Sequence, residues 1–390
     1  MEIGRPPSGL PEERQEMTGQ EKIRKIRTEL QQSFLERNDL IDGALCALLC
    51  SQHLLIIGPP GTAKSMLADE LCRRIEGAGY FQWLLTRFTT PEEIFGAVSL
   101  KALEQDDYRR VTLHKLPEAR IAFLDEIFKA NSSILNSILT IMNERLYHNG
   151  KEITPVPLLS LFGACNELPE DDELMALYDR FLLRFVVDYI AEDFRFLRML
   201  EAAAQPERTK ITLEELQAMQ AQVRQIPIPS HIYRAVADIR RELGKEEKKI
   251  IASDRRYRQS LSLLQAHSYL KGDKSISERN VFFLEHILWR DPGERQVIQE
   301  TIKELLLGFE DEVKELLYQS REQREYAMRP WETTEMRAQA LIEVHTKLRN
   351  ILSKVDQIMD KAGKSGRSLE KVASIKEEIE GIQQQILERF

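Results

Sequence analysis

The sequence predicts an α/β fold with a parallel sheet flanked by helices, followed by regions that are entirely helical. An apolar run at residues 54–57 has the length and bulk of a buried strand, and a Gly-Pro-Pro-Gly turn and a helical pattern follow it. Further apolar runs alternate with helical patterns to about residue 189, as in parallel sheets covered on both faces. Beyond residue 191 only helical patterns remain.

The first strand and the turn after it predict a phosphate-binding site. The turn reads Gly58-Pro59-Pro60-Gly61-Thr62-Ala63-Lys64-Ser65, and a helix is predicted over 65–76. Backbone N–H groups at the helix start face an anion, Lys64 adds a positive charge, and the Ser65 hydroxyl reaches Mg²⁺. The general pattern is G-x-x-x-x-G-K-[ST], so Ala63 replaces its second glycine. The alternative is an ordinary strand–turn–helix with a surface lysine, which the context on both sides disfavours.

Four more strands complete a predicted five-stranded sheet. They span residues 81–86, 121–124, 158–164 and 181–189. Helices are predicted from Thr90, as an N-cap before Pro91, and over 131–144. Two hairpins are predicted, one at 98–113 around a polar turn and one at 146–157 around Asn149-Gly150.

Polar residues stand directly after two of these strands. Asp125 and Glu126 follow residues 121–124, and Asn166 follows residues 158–164. Ligands of open parallel sheets bind at the carboxyl ends of the strands. There an Asp can hold Mg²⁺, a Glu can orient or deprotonate an attacking water, and the Asn166 amide can position that water. An Asp-Glu pair is a plain turn in most chains, but the phosphate site upstream favours a catalytic role.

These motifs together resemble the MoxR family of AAA+ ATPases, in the branch of regulatory ATPase variant A. The resemblance covers roughly residues 20–292 and is most specific over 54–185. The residues that carry it form seven motifs: 58–65, Thr86-Arg87-Phe88-Thr89-Thr90-Pro91-Glu92-Glu93, Leu116-Pro117-Glu118-Ala119, Phe123-Leu124-Asp125-Glu126-Ile127, Asn143-Glu144-Arg145, Asn166-Glu167-Leu168-Pro169 and Leu177-Tyr178-Asp179-Arg180-Phe181. Ala63 is then the family's usual residue at its position.

The resemblance implies ATP or ADP and Mg²⁺ as ligands and assigns most site residues. Nucleotide binding is assigned to Gly58, Pro59, Pro60, Gly61, Thr62, Ala63, Lys64, Ser65, Met66 and Asp125, with Phe34, Leu35 and Arg37 at the adenine. Ser65 and Asp125 would hold the metal. Glu126 would be the catalytic carboxylate and Asn166 the sensor 1 residue.

Two arginines are assigned roles in catalysis by the same resemblance. Arg180 would be an arginine finger that reaches the nucleotide of an adjacent subunit, and its alternative is a salt bridge with Asp179. The predicted helix that starts at Ser253-Asp254-Arg255-Arg256 would carry sensor 2, assigned to Arg255 with Arg256 as the alternative. Both hairpins would face the axial pore of a ring.

The implied function is an ATP-hydrolysing hexameric ring that remodels protein complexes, with a partner that carries a von Willebrand factor A domain. A nucleic-acid motor is one alternative, but the net charge is −8 and acidic residues offset the basic ones in both hairpins. A nucleotide-gated scaffold with little turnover is another, and the intact catalytic positions argue against it.

We expect four regions: a disordered leader at 1–19, an α/β nucleotide-binding core at 20–192, an all-α lid at 193–295 and a coiled-coil-like C-terminal domain at 296–390, whose truncation is left open. The last region has three heptad-like stretches: Ile302, Leu306, Phe309, Val313, Leu316; Leu341, Val344, Leu348, Ile351, Val355, Ile358; and Val372, Ile375, Ile379, Ile382, Ile386. Without a secretory signal, a membrane span or a C-x-x-C pair, we expect a cytoplasmic protein.

Overall fold

The computed structural model describes residues 17–169, 171–201, 208–306, 309–331, 334–364 and 369–389. By its internal contacts the chain divides into two units, the first formed by Met1–Ile232 with Ala252–Pro292 and the second by Tyr233–Ile251 with Gly293–Phe390. Most of the predicted leader, residues 1–16, lies outside the described ranges. The four predicted regions remain a prediction.

The elements follow the predicted alternation of strands and helices. In chain order they are α1 (Gly19–Ser33), α2 (Asn38–Leu49), β1 (Leu54–Ile57), α3 (Lys64–Arg73), β2 (Ile75–Glu76), β3 (Tyr80–Leu84), α4 (Pro91–Phe95), α5 (Leu100–Leu103), β4 (Ile121–Asp125), α6 (Ser132–Glu144), β5 (Leu146–Asn149), β6 (Glu152–Pro155), β7 (Ser160–Cys165), α7 (Asp172–Tyr178), β8 (Leu183–Val186), α8 (Asp193–Glu201), β9 (Ile211–Thr212), α9 (Leu213–Gln225), α10 (Ser230–Leu243), α11 (Asp254–Lys271), α12 (Glu278–Val281), α13 (Glu294–Leu306), α14 (Phe309–Ala327), α15 (Thr334–Lys364) and α16 (Glu370–Leu387).

The first unit is built on a five-stranded sheet in the order β3-β4-β7-β1-β8. All its strand pairs are parallel, and β1 lies between β7 and β8, with Leu54 opposite Phe162 and Leu183. β1 and β7 are buried along their whole length. The predicted fold class is therefore confirmed. The chain leaves β1, β4 and β7 at the same edge of the sheet, which brings the polar strand ends together.

The two predicted hairpins differ in outcome. β5 and β6 pair antiparallel as predicted, and Gly150 in their turn takes the left-handed φ of +66°. At 98–113 a short helix, α5, begins at the last residue of the predicted first arm, because the Ser99 hydroxyl accepts a hydrogen bond from the N–H of Ala102 and starts the helix. Antiparallel pairing is confined to the bridge between Val98 and Arg110, where Val111 N–H donates to Ala97 O at 2.8 Å and Ser99 N–H to Arg109 O at 2.7 Å.

Among the described residues after the sheet, the regular elements are helices except for one two-residue strand. β9 pairs in parallel with β2, so that Ile75 lies opposite Ile211. Thr212 and Glu215 form a capping box at the start of α9, and Ser253 caps α11, the helix predicted to start there. The described helices include none that is long and apolar enough to cross a membrane.

The second unit has its core among α14, α15 and α16. Its buried residues repeat every three or four positions, which confirms the heptad pattern in these helices. They include Val313, Leu316, Leu341, Val344, Leu348, Ile351, Val355, Ile358, Val372, Ile379, Ile382 and Ile386. Ile375 is partly buried against the same cluster.

Candidate functional site

The turn after β1 has the backbone conformation of an anion cradle. Ala63 is the N-cap of α3 and lies in the left-handed region at φ +62°, with no side-chain cap. A Cβ on Gly58 would lie 2.1 Å from the Val187 carbonyl oxygen, so the turn packs too closely there for any larger residue. Among the described residues, none accepts a hydrogen bond from the N–H groups of residues 61–65. These N–H groups at a helix start are suited to bind phosphate oxygens.

Lys64 lies inside this cradle. Its side chain is buried, and Nζ donates to the carbonyl oxygens of Gly58 and Pro59, at 2.9 Å in the second case. Nζ also lies 3.4 Å from Oδ1 of Asn166, which follows β7. The lysine is therefore held between the cradle and the strand-end polar residues, where a terminal phosphate would bind.

The strand-end residues predicted from the sequence come together. Asp125 ends β4, and its Oδ1 accepts a hydrogen bond from Glu126 N–H at 3.0 Å. Glu126 is left-handed at φ +52°, and its Oε1 accepts from Asn166 Nδ2 at 2.6 Å. Its other oxygen lies 3.1 Å from Nζ of Lys129, a contact that the sequence analysis missed. The i,i+3 spacing of a Glu and a Lys was the available signal.

The oxygen donors near the cradle fit Mg²⁺ as the family implies. Ser65 is the second residue of α3 and Asp125 the last of β4. In the described residues, no group of three or more His, Cys, Asp or Glu side chains is arranged to hold a metal ion. One hydroxyl and one carboxylate suit a cation that takes its remaining ligands from phosphates and water.

The predicted adenine-binding segment packs against the chain that follows β8. Glu36 accepts hydrogen bonds from the N–H groups of Ala191 and Glu192 at 3.0 and 3.2 Å, and Arg37 donates to Asp188 O. Phe34 is buried at the end of α1. Tyr189, which the sequence analysis did not single out, donates from its phenol to Pro60 O at 3.3 Å. Residues 34–37 therefore adjoin a segment that touches the cradle.

Arg180 and Arg255 lie together but apart from the cradle. They line one cavity with Gln52, His53, Glu144, Arg145 and Gln259. His53 directly precedes β1, whereas the cradle follows it, and a four-residue strand spans about 13 Å. Arg180 and Arg255 are thus at the amino edge of the sheet, and Lys64, Glu126 and Asn166 at its carboxyl edge.

The alternative of a salt bridge between Arg180 and Asp179 is not what the structure contains. The Asp179 carboxylate lies 3.1 Å from Arg256 and 3.7 Å from both Arg184 and Arg255. Nε of Arg180 is buried and has no hydrogen-bond partner in the described ranges. With its acidic neighbour engaged elsewhere, Arg180 keeps its charge for another anion.

The two candidates for sensor 2 differ in environment. The Arg255 side chain is about 40% exposed and lines the cavity. Arg256 is buried and donates to main-chain oxygens of the turn before β8. Of the two, only Arg255 has a side chain that is exposed to the cavity.

Burial sets the charge of the cavity wall. His53 accepts a hydrogen bond at Nδ1 from Leu161 N–H at 3.0 Å, and burial, then nearby Arg145, lowers the pKa of its imidazole to about 3. Burial lowers the pKa of Arg145 to about 10, which still leaves it charged at neutral pH. Three arginines, Arg145, Arg180 and Arg255, therefore face one acidic lining residue, Glu144, and the cavity favours an anion.

The sheet order, the cradle and the helical region that follows define the AAA+ class of nucleotide-binding proteins. The model of the MoxR domain in the MoxR-vWA-beta-propeller ternary systems matches residues 21–227, and that of an AAA lid domain matches residues 231–302. The chain belongs to the MoxR family of AAA+ ATPases, which confirms the family predicted from the sequence.

Individual relatives agree with this assignment. The chain is 43% identical over 295 residues to the uncharacterised protein MJ0079 of Methanocaldococcus jannaschii, covering 75% of this chain and 76% of the relative. It is 44% identical over 301 residues to the uncharacterised protein MJ0812 of the same organism, covering 76% of this chain and 79% of that protein. The chaperone MoxR1 of Mycobacterium tuberculosis is 27% identical over 166 residues, covering 41% of this chain and 43% of that protein.

A solved structure has the same fold. The crystal structure of a candidate ATPase from Cytophaga hutchinsonii superposes with a TM-score of 0.60 and 13% identity, covering 73% of this chain and 94% of that one. At this identity the match supports the fold alone.

Proposed function

We propose that this protein is a Mg²⁺-dependent ATPase that acts as a ring, with sites shared between neighbouring subunits. One observation carries the proposal. Arg180 and Arg255 lie at the amino edge of the sheet, whereas Lys64 and Glu126 lie at the carboxyl edge. A single chain cannot bring both sets to one nucleotide, but a head-to-tail contact between two copies can.

The residues at the carboxyl edge have complementary roles. The N–H groups of the cradle and Lys64 bind and orient the phosphates. Ser65 and Asp125 would hold Mg²⁺, which supplies charge neutralisation on the phosphate oxygens when it is bound. Glu126 accepts a proton from the attacking water, and Asn166, bonded to it at 2.6 Å, orients that carboxylate. Phe34, Leu35 and Arg37 border the base.

The amino edge of one copy supplies a second positive charge, that of Arg180, to the nucleotide site of the next copy. Arg180 of one copy stabilises the charge that develops on the phosphates held by the next copy. An arginine in this role is worth ~10³–10⁵ in rate, or roughly 4–7 kcal/mol of barrier. Hydrolysis therefore depends on assembly, and the nucleotide in turn biases how the subunits pack.

We further propose a hexameric, cytoplasmic ring that remodels protein complexes with a partner bearing a von Willebrand factor A domain. Two findings support this. The matching family model is described from systems that contain such a domain and a β-propeller, and one relative is described as a chaperone. Copurification with a partner of that kind, enhanced by ATP, would support this part of the proposal.

Mixing two inactive variants tests the shared site. Lys64→Ala removes the cradle cation and keeps Arg180, and Arg180→Ala does the reverse, so each alone should lose nearly all phosphate release. In a random equal mixture, about a quarter of the head-to-tail interfaces join an intact cradle to an intact Arg180. Steady-state phosphate release should recover in proportion.

The control is an equal mixture of Lys64→Ala with Lys64→Ala/Arg180→Ala, which contains no complete interface and should stay inactive. If the first mixture recovers no activity although light scattering shows mixed assemblies, the shared site is wrong.

A further inference from the structure

We infer that Arg256 is a positioning residue that holds Arg180 in the orientation needed by the neighbouring subunit. The inference rests on the proposed function, because it concerns how that arginine is presented. Arg256 itself touches no nucleotide in this arrangement.

The contacts of Arg256 surround Arg180 in the chain. Its Nη2 donates to the carbonyl oxygens of Asp179 and Phe181, both at 3.1 Å, and to Oδ1 of Asp179 at 3.1 Å. Its Nη1 donates to Leu182 O at 2.9 Å. The residues immediately before and after Arg180 are therefore both bound by one guanidinium.

A fifth hydrogen bond connects this turn to a distant part of the chain. Arg256 Nη1 donates to Ile287 O at 2.8 Å, and Arg184 donates to Trp289 O from the strand that follows the turn. Arg256 is only about 3% exposed, so these carbonyl oxygens and the Asp179 carboxylate replace its water. Only the planar, five-donor guanidinium can satisfy so many acceptors at once.

The neighbouring arginine is placed differently. Arg255 lines the cavity, and its Nη2 donates to Asp179 O at 3.4 Å and lies 3.7 Å from the Asp179 carboxylate, without the contacts to Phe181 and Leu182 that Arg256 makes. Successive residues of a helix point about 100° apart, so the first turn of α11 sends one arginine into the cavity and the other into the protein. Arg255 and Arg256, which the sequence left as alternatives for sensor 2, thus have different roles: Arg255 faces the cavity and Arg256 holds the turn that carries Arg180.

This arrangement joins α11 to Arg180. The helix that presents Arg255 also fixes the turn that presents Arg180, so both cations move as one group when α11 moves. A shift of α11 in one subunit would then change hydrolysis in its neighbour and not in itself.

The test asks on which side of the interface an Arg256 defect acts. Arg256→Lys keeps the charge but cannot bind all five acceptors. We expect its turnover number to fall by about 10²-fold, the loss that follows a misplacement near 1 Å, with unchanged nucleotide affinity. Mixed with Lys64→Ala, which carries an intact Arg180, it should regain phosphate release. Mixed with Arg180→Ala it should not.

Two further variants keep the test decisive. Arg258→Lys, on the exposed side of the same helix, is the matched control and should keep parental turnover. If Arg256→Lys fails to fold, Asp179→Asn replaces the charged acceptor at a half-exposed side chain with a neutral amide oxygen, which weakens the contact with Arg256 and should give a severalfold defect with the same rescue pattern.

Parental turnover in Arg256→Lys, or rescue by Arg180→Ala, would overturn the inference. Failure of Lys64→Ala with Arg180→Ala to complement would instead overturn the shared site itself, so the two failures are distinct.

Discussion

One residue of the cradle and one residue directly after β4 depend on a backbone conformation that residues other than glycine rarely adopt. Ala63 and Glu126 both lie in the left-handed region, at φ +62° and +52°. This conformation costs a residue with a Cβ roughly 1–2 kcal/mol, and such strain persists where the surrounding structure fixes it. At Ala63 it opens a helix whose first N–H groups face outward, and at Glu126 it turns the carboxylate towards Asn166.

At the residue scale we predict that His53 makes stability depend on pH. Folding lowers its pKa from about 6.5 to about 3, so only the unfolded chain binds a proton between these values. The stabilisation that neutral His53 gives to the folded state is complete above pH 6.5. As the pH falls from there towards 3, the free energy of unfolding decreases by about 1.4 kcal/mol per pH unit. Urea unfolding at pH 6.5 and 5.0 should therefore show a loss about 2 kcal/mol smaller in His53→Gln than in the parent.

The matched control for this prediction is His231→Gln, at an exposed position. It should keep the parental pH dependence of the free energy of unfolding. Equal pH dependence in His53→Gln and the parent would mean that His53 is not buried in its neutral form.

At the element scale we predict that two substitutions in α15 differ in their effect on the free energy of unfolding. Leu348 is fully buried among α14, α15 and α16, whereas Ile342 on the same helix is 57% exposed. Leu348→Ala should lower the free energy of unfolding by about 2–5 kcal/mol, because it removes buried methyl groups and leaves a cavity. Ile342→Ala should change it by less than about 0.5 kcal/mol.

Urea unfolding of the full chain, followed by far-UV circular dichroism, measures both effects. Similar losses in the two variants would contradict the packing of α15.

Elements with a clear apolar run or a long apolar period were predictable from the sequence, and short or distant pairings were not. The strands of the main sheet stood out as apolar runs, and α14–α16 repeat an apolar heptad period. β2 and β9 have two residues each and pair 136 positions apart, from Ile75 to Ile211, so no local pattern marks them. α5 was not predicted, because its Leu-Lys-Ala-Leu segment is too short to show a helical period, and only its first residue, Leu100, fell in a predicted hairpin arm.

The site residues that directly follow a strand were predictable from the sequence. The cradle, Asp125, Glu126 and Asn166 each follow a strand, so their meeting follows from parallel order alone. The difference between Arg255 and Arg256 is not visible in the sequence, because two adjacent arginines are equivalent until tertiary packing buries one of them. Tyr189 was missed because its contact with Pro60 joins distant positions of the chain, whereas the i,i+3 spacing of Lys129 and Glu126 was present in the sequence.

At the scale of the whole molecule, assembly and catalysis should respond together to Glu126. In Glu126→Gln the amide cannot accept a proton from water, but the cradle and Lys64 are untouched. We expect nucleotide binding within about twofold of the parent, turnover reduced by at least about 10²-fold, and ATP-dependent assembly that persists. Isothermal titration calorimetry and light scattering with ATP measure these properties.

Lys64→Ala is the contrasting control, since it should lose binding and ATP-dependent assembly together. Parental turnover in Glu126→Gln would contradict the assignment of the catalytic carboxylate.

The position of β1 between β7 and β8 has a consequence for synthesis on the ribosome. Leu54–Ile57 emerges early, but its two partner strands begin at Ser160 and Leu183. At about 5–20 residues per second, more than about 5 s passes before the first partner is made. During that time four consecutive apolar residues have no strand to pair with, which exposes the nascent chain to aggregation. The strand that carries the cradle therefore needs protection until β7 and β8 have been made.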